Sequence, residues 1–427
     1  MGKVITKSNE HQKGSLSLET IQDFFMVLYM FAICAHQTNI GFDFYFSLCS
    51  FIGFFGFGLL SSIQKKRFRI NGFLVWFLMF VFYSYLSASW APSSAVQGIF
   101  DYTSVYLQII GSIWCIINRV NRFEDIEKIC KYILVALFYT CILIFFLTPF
   151  DAWGTQRVGS IVGLNPNDLG MRMAVGITLS LYFVIQKKKS VYIILYVAFF
   201  SMVMFSGSRK ALFLALASSI LCLIFVKKEN LTSKVFIKKL FILLVIAFLI
   251  IIVYYLVMKV KVFYDVIGFR LETMLDSFNG DAQADNSMYV RNLFIKHAWN
   301  LFLDHPLLGY GLDSFEDYMV EINFGYNYYS HNNFVEILST LGSIGFLIFY
   351  SMECYRLVNL SKMFFNRKNL QPLLFYFLLI DVFMLVLSWW MINYYSKFFM
   401  FIYALIFMYI KLCQNDIKQR GVKYKNE

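Results

Sequence analysis

His331 stands in Ser330-His331-Asn332-Asn333, immediately ahead of an apolar run. The N-terminus of a helix carries partial positive charge, which disfavours the imidazolium. A histidine held there stays neutral and can accept a proton, as a general base must. A lone histidine at a helix start is also a common cap, and position by itself leaves both readings open. Arg209 lies in Ser206-Gly207-Ser208-Arg209-Lys210, a turn so short between two apolar runs that it offers little water to a charge. An arginine at that depth is costly unless it is paired, faces a polar cavity or snorkels to the headgroups. Its fork of donors suits phosphate oxygens, and the glycine and serines allow close backbone approach. Arg291 and Arg157, the latter in Gln156-Arg157-Val158-Gly159, read individually as solvated charges. Arg157, Arg209, Lys210 and Arg291 together would be explained by one anionic ligand.

Other groups carry weaker signals. Arg172 and Asp381 lie within apolar runs, where a charge marks either a functional site or a structural pair. Asp276, Asp281 and Asp285 could bind a divalent cation, but their spacing matches no defined calcium loop, and a solvated face explains them better. His297 and His305 have no Cys or His nearby at metal-ligand spacing. No Ser-His-Asp triad can be assembled, and no glycine-rich phosphate loop is present to hold a nucleotide. The eight cysteines fall in or beside apolar runs and offer no disulfide framework, so they are expected to be small core residues.

The elements that must position these groups are membrane helices. The chain is 59% hydrophobic and 20% aromatic with 15% charged residues, at the apolar end of anything soluble. Apolar runs of about 18 or more residues recur throughout, each long enough to cross a bilayer. The reading is an all-α, polytopic integral membrane protein with about twelve spans. They are expected near 21–38, 42–63, 70–89, 101–118, 132–149, 168–186, 190–206, 211–226, 240–258, 334–353, 371–391 and 397–413. The first, behind Lys3, Lys7 and Lys13, resembles a signal peptide in outline but is read as a retained helix. Residues 1–427 are taken as one membrane domain.

The formal net charge of +12 is distributed as a topology signal and not as a nucleic-acid surface. Lysine and arginine cluster in alternate connections, such as Lys65-Lys66-Arg67 and Lys187-Lys188-Lys189, and in the tail. By the positive-inside rule both termini are then cytoplasmic. The same rule puts the long connection 259–333 on the opposite side, with Trp90–Tyr102, Phe150–Asn167 and Ser206–Lys210. Within 259–333, a helix is expected after the N-cap groups Asp285-Asn286-Ser287, with Met288, Phe294, Ala298, Leu301 and Phe302 as its stripe. His305-Pro306 should end it, and Gly309 and Gly311 allow a turn. A second short helix should start at Asp313, with Glu316 completing a capping box. Ser330 is expected to cap the tenth span, which would put His331 in its first turn. The two loop helices should lie over the ends of the spans as a lid.

In order and placement, these segments resemble the O-antigen ligase and Wzy-type polysaccharide polymerase superfamily. Three motifs carry the resemblance. They are Ser206-Gly207-Ser208-Arg209-Lys210-Ala211-Leu212, then Arg291 followed by His305-Pro306-Leu307-Leu308-Gly309-Tyr310-Gly311-Leu312, and His331-Asn332 leading through Leu341-Gly342 to Gly345. Arg157 with Asn165-Pro166-Asn167 also looks like this family. The motifs cover 150–350, and the remainder agrees by topology. His305 departs from the pattern, which more often has Asn before the Pro, and receives no role.

The resemblance implies a GT-C-like glycosyltransferase of the bacterial cytoplasmic (inner) membrane, working on its outer face without a metal or other cofactor. Its donor would be a glycan on undecaprenyl pyrophosphate. His331 would be the base, with Arg209 and Arg291 the other catalytic groups, holding the pyrophosphate. Arg157, Lys210 and Asn332 would bind substrate, and inversion at the anomeric carbon is expected. Beyond membrane lipid and the lipid-linked glycan, a chain-length regulator and a flippase are the partners suggested, and no nucleic acid.

The favoured activity is polymerisation of lipid-linked repeat units into capsular, exopolysaccharide or O-antigen chains. The alternative is a ligase that moves a finished glycan to another acceptor. A polysaccharide flippase or other transporter predicts related halves, whereas here the sixth and seventh runs are joined by little more than Lys187–Ser190. A non-catalytic assembly or sensing protein would use the long connection only as a binding surface.

Overall fold

The computed structural model describes residues 17–36, 41–153, 155–160, 163–225, 251–278, 286–322, 328–366 and 371–423, with 244 and 248. Among these the chain is helical, with no strand beyond an isolated bridge between Trp153 and Gln156. The first half holds α1 (Leu18–Ala35), α2 (Gly41–Gln64), α3 (Gly72–Leu86), α4 (Ser93–Asp101), α5 (Thr103–Arg119) and α6 (Phe123–Leu147). Next come α7 (Pro166–Ile185), α8 (Tyr192–Phe205) and α9 (Arg209–Phe225), then α10 (Phe269–Phe278), α11 (Asn286–Asp304) and α12 (Ser314–Glu321). The chain closes with α13 (Asn333–Phe365), α14 (Leu374–Leu387) and α15 (Lys397–Lys423).

Among the described residues, 8 helices are long and apolar enough to cross a membrane, which makes this a polytopic membrane protein. Two shorter apolar helices, α8 and α14, coincide with the seventh and eleventh expected runs. The eighth expected run is α9, and the ninth, 240–258, lies largely outside the described residues. One difference concerns the fourth span. It begins at Ser93, because the expected connection Trp90–Tyr102 is itself helical as α4. Six cysteines are buried as expected, but Cys49 and Cys354 are exposed, since each faces outward from its helix.

Helix burial shows where the bundle's centre lies. The span within α7 is 83% buried and that within α15 78%, against 33% for α2. The two most buried helices therefore form the axis, and α2 turns an apolar face outward to lipid. Helix α7 packs on α6, α8 and α9, while α15 packs on α5 and α13. Charges that enter this interior are paired. Arg356 on α13 donates to Asp381 on α14 (3.0 Å) and to Glu353 one turn back (2.5 Å), and lies 3.8 Å over the Tyr403 ring. Asp381, which the sequence leaves between a functional site and a structural pair, is thus one member of an interhelical ion-pair cluster.

Helix α13 is broken at Gly342, whose φ of 63° leaves the helical region. The break frees carbonyls and amides that a buried helix would otherwise satisfy internally. The 305–311 turn repairs it. Tyr310 N donates to Ser339 O (3.0 Å) and Gly311 N to Thr340 O (2.7 Å), while Ser343 N and Ile344 N donate back to Pro306 O (2.9 Å) and Leu307 O (3.3 Å). Such contact needs glycine on both sides. A Cβ on Gly309 would meet the Thr340 carbonyl at 2.5 Å, and one on Gly342 would strike the Leu307 carbonyl. The second and third sequence motifs are therefore two halves of one backbone joint.

That joint docks the loop helices. Phe294, Ala298 and Leu301 of α11 are buried with Phe315 and Met319 of α12 and Val335 of α13, a small core of their own. Helix α11 ends at Asp304, ahead of His305-Pro306, as expected. Helix α12 follows Asp313, but the capping box does not form. Asp313 has a left-handed backbone (φ 69°), and its carboxylate accepts from Tyr102 on the α4–α5 side (3.1 Å) in place of its own helix amides. The side chains of Asp276, Asp281 and Asp285 lie outside the described residues.

Candidate active site

His331 sits on a turn whose every neighbour is fixed. Asn332 is the N-cap of α13, accepting from Phe334 N (2.9 Å) and Val335 N (3.3 Å). Ser330 N donates to the buried Glu336 carboxylate at 2.8 Å, and Ser330 Oγ donates to Asn332 O at 2.9 Å. The expected cap, Ser330, is therefore displaced by Asn332, and His331 precedes the helix instead of occupying its first turn. Its backbone is left-handed (φ 57°), a strained conformation for a non-glycine residue. The ring lies 4.1 Å from the Tyr329 ring and 6.1 Å from Phe294, nearly parallel to the latter. Burial, then the positive charges of Arg291 and Lys210, push its pKa down to about 3. Burial and these two cations thus disfavour the imidazolium.

The Ser206–Lys210 turn is held from two sides. Arg157 Nε donates to Ser206 O (2.8 Å), and its Nη2 donates to Asn167 Oδ1 (2.8 Å). Arg209 Nη1 donates to Arg270 O (2.6 Å), and Arg270 Nη1 reaches back to Gly207 O (3.4 Å). Gly207 has φ 60°, and a Cβ there would meet Val266 O at 2.7 Å, so the glycine permits this approach. Arg209 thus faces the segment leading into α10, where a short π-helix (Tyr264–Gly268) loosens the chain. Lys210 Nζ donates to Trp390 O (3.2 Å) and lies 5.4 Å from that ring.

Electrostatics bind these groups into one cluster. Arg157 is pushed down to about 10 by burial and then by Arg270, Arg291 and Arg209. Arg291 and Lys210 act in turn on His331. Arg157, Arg209, Lys210, Arg270 and Arg291, from three chain segments, thus lie within electrostatic reach of one another, an arrangement suited to receiving an anion. On α12, Glu316 is pushed up to about 7 by burial, Asp313 and Asp317.

A cavity of about 260 Å³ opens beside the cluster, lined by His331, Arg291, Tyr329, Asn167, Arg172 and Lys397 among others. Arg157, Arg209 and Lys210 stand behind this wall, and Asn332 is committed to capping. His297 meets the Tyr318 hydroxyl at 3.5 Å and His305 packs edge-on at 4.3 Å to Tyr310, so neither lines the cavity. Sequence reasoning assigned no role to Lys397, Arg270 or Asn167. The signals available were a lysine opening the last apolar run, a further arginine in the long connection and the Asn165-Pro166-Asn167 helix start. The structure turns the last into the N-cap of α7.

Residues 193–350 match the family model described as O-antigen ligase. Over that segment the chain is similar to the O-antigen ligase family. The matched segment contains Arg209, Lys210, Arg291 and His331, while Arg157 and Lys397 lie outside it. That similarity, together with the apolar helices, is what a multi-pass membrane enzyme of the ligase and polymerase type, acting on a lipid-linked glycan, would show. No curated protein and no solved structure matches the chain.

Proposed function

We propose that this chain is an inverting polysaccharide polymerase of the O-antigen ligase superfamily. In this reading it joins undecaprenyl-pyrophosphate-linked repeat units on the outer face of the cytoplasmic membrane. The single observation that carries the proposal is the meeting of a half-buried His331, whose protonation is disfavoured, with Arg291 and the Arg157–Arg209–Lys210–Arg270 cluster beside one cavity. The acceptor hydroxyl oxygen attacks the anomeric carbon of the donor while His331 takes its proton. The bond from that carbon to the pyrophosphate oxygen breaks, and lipid pyrophosphate leaves with the electron pair. Arg291 and Arg209 hold the leaving group, with Arg157 and Lys210 adding positive potential behind them. Such stabilisation acts most strongly where water is excluded.

The depressed pKa of His331 has a mechanistic consequence. Without an anion nearby, Arg291 and Lys210 make the imidazole a weak base. A bound pyrophosphate offsets their charge and raises its basicity, so proton abstraction is coupled to donor occupancy. Helices α11 and α12 act as a lid over the spans, and the loop they belong to is extracytoplasmic.

The printed family description favours a second reading, a ligase transferring the finished glycan to another acceptor. One experiment separates the two. Purified protein is reconstituted with undecaprenyl-pyrophosphate-linked repeat units alone, and then with a lipid-core acceptor added. A ladder of lengthened, lipid-linked glycans from repeat units alone is expected. Transfer only when the second acceptor is present would replace polymerase by ligase, and no release of lipid pyrophosphate in either case would refute both. Orientation is checked in intact cells on a background lacking Cys49 and Cys354. Asn300→Cys on the exposed face of α11 should react with an impermeant thiol reagent, and Lys188→Cys should not.

A further inference from the structure

The face that α11 turns away from its buried core changes character along the helix. Phe294, Ala298 and Leu301 point inward, and the exposed positions on the opposite face are, in order, Asn292, Lys296, Trp299 and Leu303. Trp299 and Leu303, one turn apart, occupy the C-terminal half, and Leu303 is 58% exposed. Polar Asn300 and Asp304 border them on one side, and Phe302, 5.2 Å from the Trp299 ring, on the other. An exposed tryptophan and leucine beyond a lysine suit a helix that tilts from water into the headgroup region.

The joint at Gly342 shows what lies at that end. After the break, 343–365 of α13 is about 34 Å long at ~1.5 Å per residue, enough by itself to cross the ~30 Å hydrocarbon core. Its far end carries Lys362, with Arg367 and Lys368 after it, so Gly342 falls at the other border of the bilayer, on the side of His331. The 305–311 turn that follows α11 is bonded to this same point, Ser343 N to Pro306 O and Ile344 N to Leu307 O. Leu307 is 66% exposed beside the exposed Ile344, and Leu347, one turn further along α13, is 68% exposed. Leu347 lies within the span, where an exposed leucine meets lipid. An apolar surface thus leads from the lipid face of α13 through Leu307 and Leu308 to Leu303 and Trp299 at the end of α11.

We propose that the C-terminal half of α11 is seated in the membrane. Trp299 and Leu303, with Leu307 and Leu308, insert at the boundary of headgroups and acyl chains in the leaflet on the His331 side. The partner is lipid, because this surface continues one that a spanning helix already gives to lipid. Arg291 lies on the same helix and lines the cavity, so the anchor ties one part of the cavity wall to the membrane surface. Seating of this kind is independent of the reaction in the cavity.

The test uses the full chain in phosphatidylcholine–phosphatidylglycerol nanodiscs, with Cys49 and Cys354 replaced by serine. Single cysteines, Leu303→Cys, Leu307→Cys, Asn300→Cys and, as the reference within the bilayer, Leu347→Cys, carry an NBD label. The quenchers are iodide in water and a doxyl group near the ester of the phospholipid chain. Labels at positions 303, 307 and 347 should be quenched at least about threefold more by doxyl lipid than the label at 300, and iodide should show the reverse order. Iodide quenching at 303 equal to that at 300, without a doxyl effect, would overturn the proposal. So would shielding of 303 from both quenchers, which would put a second copy of the chain on this face, or a label at 347 that doxyl lipid does not reach. If Leu303→Cys does not fold, brominated lipid decides on the otherwise unmodified protein. Trp299→Phe should then remove a measurable part of the tryptophan quenching, and an unchanged quench would defeat the seating.

Discussion

Two arginine settings in this protein invite comparison. Arg356 is 1% exposed, donates to two carboxylates and lies over a tyrosine ring. Arg157, also largely withdrawn from water, is held by neutral oxygens, and the charges that act on it are those of other arginines. Both are buried guanidinium groups with good hydrogen bonds, and burial alone does not tell them apart. The balance of charge does. The Arg356 cluster sets a guanidinium between carboxylates of two helices and serves to lock those helices together. Arg157 instead lies where other arginines act on it, and an anion arriving from outside would offset that repulsion.

The comparison is sharpened most by removing the base. His331→Asn should lower glycan transfer by about 10²–10⁴-fold. Asparagine tolerates the left-handed backbone at this position, so the loss would report chemistry and not strain. Full-length polymer from a strain carrying only this variant would sink the assignment.

Next in size are the arginines. Arg291→Ala, and Arg209→Lys with its lost fork, should each cost about 10²–10³-fold in turnover while membrane insertion and the thermal midpoint stay normal. If Arg209→Lys performs like the unmodified enzyme, the guanidinium at that position is not holding the leaving group.

Arg356→Ala should behave in the opposite manner. Leaving Asp381 and Glu353 buried without their cation should destabilise the protein by about 3–5 kcal/mol. Transfer per folded molecule should be nearly unchanged. Thermal unfolding in detergent beside a specific-activity assay checks both halves, and inactive but stable protein would erase the distinction drawn between the two clusters.

The smallest effect concerns pH. Lys210 is one of the two cations that depress His331. Its removal in Lys210→Gln favours the imidazolium, so the pKa of His331 rises. The acid limb of kcat/KM, which reports the free enzyme, should then move to higher pH. A shift to lower pH, or none, would mean that the titrating base is not coupled to this lysine.

Much of this was legible in the sequence because membrane helices announce themselves. A run of Leu, Ile and Phe long enough to span a bilayer has few alternatives, since every backbone group must be satisfied inside the helix. The C-terminal end of α11 followed from His305-Pro306, where local chemistry decides. Local chemistry failed where a distant group intervened. Asp313 gives its carboxylate to Tyr102 and not to its own helix, a partner 211 residues away that no window of sequence contains. Ser330 spends its hydroxyl on the Asn332 carbonyl and leaves the cap to Asn332, a choice between neighbours that spacing alone did not settle.

The sequence by itself therefore determined the class of protein, its apolar helices and the residues able to carry charge or accept a proton. It did so because hydrophobic length and side-chain chemistry are properties of short segments. Tertiary structure alone decided which charges meet an opposite partner and which meet their like. It paired Asp381 with Arg356, brought Arg157, Arg270 and Arg291 to bear on one another, and set Lys397 and His331 along one cavity. Coulomb interactions depend on distance in space and on the burial around them, and neither is written along the chain.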